Sequence, residues 1–116
     1  MPIPDDYNTV LSALAEKTQE GVLEWKEGSY DLSVTVDSSK FSLWAGTDEQ
    51  TDEPFVAFAL KNQAGKAIDS WYVDQSDQDY YDVLDLYRLA KRHANGVPSL
   101  LQNLAERISA MKSDDD

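Results

Sequence analysis

The chain has 116 residues, a formal charge of −12, no cysteine and a single histidine. This length suits one domain, and a hydrophobic share of 41% is enough for a core. The totals exclude a disulfide framework and thiolate metal sites, and they disfavour direct nucleic-acid binding, because an acidic surface repels phosphate backbones.

The opening segment MPIPDDYN is neither basic nor continuously apolar, so the expectation is a cytoplasmic chain with no membrane span. Residues 4–20 read as a helix. Tyr7, Val10, Leu11, Leu14, Ala15 and Thr18 fall on one face, Asp5 or Asp6 is placed to cap the start, and Gly21 ends it. Residues 22–26 alternate weakly around Trp25, as a short extended link or a first strand would.

From Ser29 the period changes to two. Tyr30, Leu32, Val34 and Val36 alternate with Ser29, Asp31, Ser33 and Thr35, the pattern of a half-buried strand. A turn at residues 37–40 predicts a hairpin that pairs Val36 with Phe41, Val34 with Leu43 and Leu32 with Ala45, with Trp44 on the opposite face. After a polar, acidic loop at residues 46–54, residues 55–61 and 67–73 predict a second hairpin, with Gly65 in the left-handed position of a bulge-type turn. Its expected register pairs Leu60 with Ile68, Phe58 with Ser70 and Val56 with Tyr72 on the core face. Ala57 then faces Trp71, and Phe55 faces Val73, on the other.

Residues 76–95 carry the clearest helix signal. Ser76 and Asp79 resemble a capping box. Acids crowd the first turns and Lys91, Arg92 and His93 the last, as the macrodipole favours. Tyr80, Val83, Leu84, Tyr87, Ala90 and Ala94 form the apolar stripe. Gly96 stops this helix, and Pro98 opens a third, striped by Leu100, Leu101, Leu104, Ala105, Ile108 and Met111. The short link between the two predicts a helical hairpin. The whole is a single α+β domain over residues 1–116: an N-terminal helix, a four-stranded antiparallel meander, and a C-terminal helical hairpin packed on one sheet face. An acidic disordered tail is expected at residues 112–116. The expected core comprises Leu32, Val34, Leu43, Phe58, Leu60, Ile68, Leu84, Tyr87, Leu101 and Leu104.

This order of signals, with KTQEGVLEW at residues 17–25, a Gly-Lys turn and Ile-Asp at residues 65–69, and LYRLAKRHANGV at residues 86–97, resembles a group of short uncharacterised bacterial proteins, some found near mobile elements. The resemblance covers most of the chain. The group has no known activity, so the resemblance implies no catalytic residue.

The chemistry-bearing residues divide by environment. His93, beside Lys91 and Arg92, has the makings of a general base but also suits a helix C-terminus as a charge. Asp74, Asp77, Asp79, Asp82 and Asp85 fail the calcium-loop pattern, lacking its central Gly and closing Glu. No phosphate-cradling Gly loop or nucleophile elbow is present. No catalytic residue, metal or cofactor is therefore expected. The predicted registers put Trp44, Phe55, Ala57, Ala59, Trp71 and Val73 on the sheet face away from the helices, where such aromatics either mark an interface or are covered within the monomer by the first helix or residues 22–25. The expectation is a non-enzymatic protein-interaction module that binds a protein partner or a second copy as a homodimer. Two alternatives compete: an acidic partner-neutralising protein of the nucleic-acid-mimic or immunity type, using Asp48, Glu49, Asp52, Glu53, Asp77, Asp82 and Asp85, or an enzyme with an atypical acidic site.

Overall fold

The computed structural model describes residues 3–111, so the expected acidic tail lies outside the described residues. In chain order it contains α1 (Asp5–Gln19), β1 (Lys26–Glu27), β2 (Leu32–Val36), β3 (Ser39–Thr47), β4 (Pro54–Lys61), β5 (Ala67–Asp74), α2 (Tyr80–Ala94) and α3 (Val97–Ala110). The strands form one antiparallel sheet in the order β1-β2-β3-β4-β5. The class is α+β, but the sheet has five strands rather than four, because Lys26 and Glu27 pair with Ser33 and Leu32. Among the described residues no helix is long and apolar enough to cross a membrane.

Helix α1 starts directly after Pro4, which serves as N-cap without a side-chain hydrogen bond, so Asp5 and Asp6 lie inside the first turn and act on the helix dipole rather than as caps. At the other end Gly21 takes φ +76°, and the Val22 N–H returns to the Lys17 carbonyl. The chain then reverses and buries Trp25. Its indole N–H donates to Thr18 Oγ1 at 2.9 Å, so this Trp is a satisfied core residue beneath α1.

The first hairpin closes one step earlier than expected. Asp37 adopts φ +56°, the two-residue loop moves from Ser38-Ser39 to Asp37-Ser38, and Val34 pairs with Phe41 and Leu32 with Leu43. The shift is two residues along one strand, which leaves every side chain on its expected face. The second hairpin differs by one residue. Leu60 pairs with Asp69 but Lys61 with Ala67, so Ile68 is a bulge without a cross-strand partner. Beyond it the faces of β5 are exchanged relative to expectation: Phe58 faces Trp71, Val56 faces Val73 and Ala57 faces Tyr72. Ile68 is therefore exposed rather than core.

The inner sheet face and the helices share one core. Leu32, Val34, Phe41, Leu43, Val56, Phe58 and Val73 meet Tyr80, Val83, Leu86 and Ala90 of α2, and Tyr7 and Leu14 of α1. Phe58 sits at the centre, its ring 4.9 Å from that of Tyr7 and 5.4 Å from that of Phe41. Leu60, Leu84 and Tyr87 are only partly buried. The start of α2 also departs from expectation. Ser76 binds Asp74 rather than capping, and the Asp79 carboxylate accepts the Ile3 N–H at 3.1 Å, tying the chain's beginning to the helix.

Helix α3 does not pack on the sheet. Among the described elements its neighbour is α2 alone, none of its residues is buried, and Leu101 and Leu104, expected in the core, are 48% and 52% exposed. The physical reason is occupancy. Helix α1 holds the place beside α2 over the inner face, and Gly96 at φ +68° turns the chain out of that layer. The molecule measures 60 × 36 × 27 Å, with a radius of gyration of 17.5 Å, against about 13 Å for a compact domain of roughly 100 residues.

Candidate interaction surface

The outer sheet face is built by the alternation of β2 to β5. Ser42, Trp44, Phe55, Ala57, Ala59 and Tyr72 all project from the side opposite the core. Small residues form its floor: Ser42, Ala57 and Ala59 are buried beneath their larger neighbours. Across that floor runs a row of rings. Tyr30 lies 6.5 Å from Trp44, Trp44 lies 5.8 Å from Tyr72, and Tyr72 lies 5.4 Å from Phe55. The first two contacts are edge-to-face, at 80° and 82°, the arrangement the ring quadrupole favours. Phe55 rests over Gly46 of the neighbouring strand, where a Cβ would stand 3.0 Å from the ring. A side chain at this position would press on the ring and displace it by a few tenths of an ångström.

The row is open to solvent. Tyr30 is 73% exposed and Tyr72 61%, while Trp44 and Phe55 are half-buried. Neither α1 nor the Trp25 segment covers it, since both belong to the core on the inner side. Of the six residues expected on this face, Trp44, Phe55, Ala57 and Ala59 stand together. Trp71 and Val73 do not: Val73 is 1% exposed within the core, and Trp71 packs against the core's edge. The Ile68 bulge is the cause. Sequence reasoning missed Tyr30 and Tyr72. The run Trp71-Tyr72-Val73 is apolar at every position, so alternation could not assign its faces.

Below the floor one hydrogen-bonding group is unspent. Among the described residues the buried Ser42 Oγ has no partner.

The expected acidic patch divides in two. Asp48, Glu49 and Glu53 of the β3–β4 loop line a recess with Phe55, Tyr72 and Asp74, at one end of the aromatic row. Asp52 belongs to the same loop, held at φ +60°, while Asp77 lies in the link between β5 and α2, accepting the Asp74 N–H at 3.2 Å. Asp82 and Asp85 lie elsewhere, in the groove between α1 and α2 with Asp79. Among the described residues no group of three or more His, Asp or Glu is arranged to hold a metal ion.

On the inner side, Tyr7 Oη donates to Asp69 Oδ2 at 2.6 Å, and the Trp71 indole N–H reaches the same oxygen at 3.4 Å. Burial, then the neighbouring carboxylate, pushes the Tyr7 phenol well above its ordinary range. The Tyr7 hydrogen bond holds the Asp69 carboxyl below the usual carboxylate value. In comparison with known proteins, no family model, no curated protein and no solved structure matches the chain.

Proposed function

We propose that this chain is a non-enzymatic protein-interaction module, cytoplasmic in location, whose outer sheet face receives a partner protein. One observation carries the reading: the row Tyr30–Trp44–Tyr72–Phe55 lies open to solvent on a face with no helix over it. Tyr and Trp are the residues that most often anchor interfaces, because they bury large area at little entropic cost and keep a polar edge for the rim. The acids of the β3–β4 loop flank one end of the row. They define the partner's chemistry: an apolar anchor over Trp44 with basic side chains toward Phe55. Such a rim steers association and makes it salt-dependent. The loop acids thus serve the same surface as the rings, and Asp82 and Asp85 stand apart from it.

The test compares immobilised wild-type chain with a Trp44→Ser/Tyr72→Ser variant of matched circular dichroism, each exposed to host extract. The wild type should retain a protein at low salt, release it as salt rises, and lose it in the double variant. Retention of the same proteins by both forms sinks the reading.

A further inference from the structure

A second surface is left unpartnered, and it is of a different kind. Helix α3 presents Val97, Leu101, Leu104 and Ile108 at alternating spacings of four and three residues, and Met111 follows in the sequence just past its end. That is the seam of a coiled coil over two heptads, and Leu100 and Ala105 widen it on either flank. Among the described residues nothing lies on it, for α3 meets no element but α2. A helix of 14 residues is marginal alone in water. It needs a cover.

The charge of the helix says what the cover is. The chain carries −12, yet α3 holds one acid and one base, Glu106 and Arg107. A basic partner would find no complement there. A second copy finds a stretch of no net charge, on which two acidic molecules meet without like-charge repulsion across the contact. We propose that two copies of the chain associate through α3, antiparallel about a two-fold axis near Leu104. The antiparallel sense follows from the same charge, since it sets the two acidic bodies at opposite ends of the helix pair. It also lays each helix N-terminus beside the other's C-terminus, as the dipoles favour. The contact is isologous, so it closes at two copies. This inference uses a surface separate from the aromatic row and stands independently of the proposed partner.

The test exploits the absence of cysteine. Light scattering should give twice the 13.0 kDa chain mass at high concentration, falling toward the single mass on dilution. A Leu101→Glu/Leu104→Glu variant should hold the single mass throughout, with sheet circular dichroism unchanged because α3 contributes nothing to the core. The Trp44→Ser/Tyr72→Ser variant should remain dimeric. Under mild oxidation, Leu104→Cys should give a disulfide-linked pair, whereas Val97→Cys should not, its two copies lying roughly 20 Å apart at 1.5 Å per residue. A single mass for the wild type at every concentration overturns the proposal, as does a dimer that survives the double glutamate. Equal crosslinking at both cysteine positions overturns the antiparallel pairing. If the glutamate variant fails to fold, the wild-type mass and the two cysteine variants decide the matter.

Discussion

Tyr7 and Asp69, 62 positions apart, are joined by a 2.6 Å hydrogen bond that fastens the first turns of α1 to the bulged strand β5. The bond sits at the open edge of the core, with the phenol inside and the carboxylate at the rim. It explains how an acid is tolerated on the inward side of β5. Its charge is turned toward two donors, Tyr7 Oη and the Trp71 indole.

A pH dependence follows. The Asp69 pKa is depressed below its ordinary 3.8 in the folded chain, chiefly by the Tyr7 bond. Its contribution is therefore present above that ordinary value and lost as pH falls through the folded one. The Tyr7 pKa is raised, first by burial, so its contribution is present below the ordinary phenol value of 10.0 and lost as pH rises beyond it. Urea unfolding should show Asp69→Asn less acid-sensitive than wild type below pH 3.8, and Tyr7→Phe less sensitive at both extremes. Parallel pH profiles for all three proteins would remove the bond from this role.

Truncating the centre of the core is the second expectation. Phe58 is fully buried between Tyr7 and Phe41. Phe58→Ala should cost on the order of 3–5 kcal/mol, by lost transfer energy and the cavity left behind. An unchanged urea midpoint would show the residue to be peripheral.

Ser42 should behave in the opposite sense. Its hydroxyl is buried on the sheet's outer side with no partner among the described residues. Ser42→Ala removes an unsatisfied group and should stabilise the chain by about 1 kcal/mol. A lowered midpoint would mean that the hydroxyl is satisfied in solution.

The Gly96 link separates two levels of stability. At φ +68° with open space around it, an alanine meets strain but no clash, a penalty of roughly 1–2 kcal/mol for an L-residue in the left-handed region. Because α3 adds nothing to the core, Gly96→Ala should lower helical circular dichroism while leaving the near-ultraviolet signal of the buried aromatics in place. Loss of both together would show that α3 and the body unfold as one unit.

Much of this fold was legible because hydrophobic period reports face and not register. The first hairpin slipped by two residues, and Leu32, Val34 and Leu43 still reached the core as expected. The second slipped by one at Ile68, and there Trp71 and Tyr72 exchanged sides. A signal existed in Asp69. It lies on the inward side of β5, where the distant hydroxyl of Tyr7 and the Trp71 indole meet its charge. The stripe on α3 was legible too, but a stripe states that a helix wants cover, not that its own chain supplies it. Leu101 and Leu104 look like core residues in sequence for that reason. Half of the aromatic row was within reach, since Trp44 and Phe55 alternate cleanly with their neighbours. Tyr30 and Tyr72 join it through tertiary geometry that local pattern does not encode.

The unpaired Ile68 makes the β4–β5 turn a buffer of register. Side chains alternate with period two, so one surplus residue in an unbroken ladder would exchange the two faces of a strand. Here the bulge absorbs that residue, and beyond it Phe58 faces Trp71 and Ala57 faces Tyr72. Deleting Ile68 would close the bulge into a regular ladder, with Leu60 still opposite Asp69 and both faces as they are. The sides on which Trp71 and Tyr72 stand are thus held by the pairing of β4 with β5, and the turn beside them is free to gain or lose a residue without rewriting what the core, or any partner, encounters.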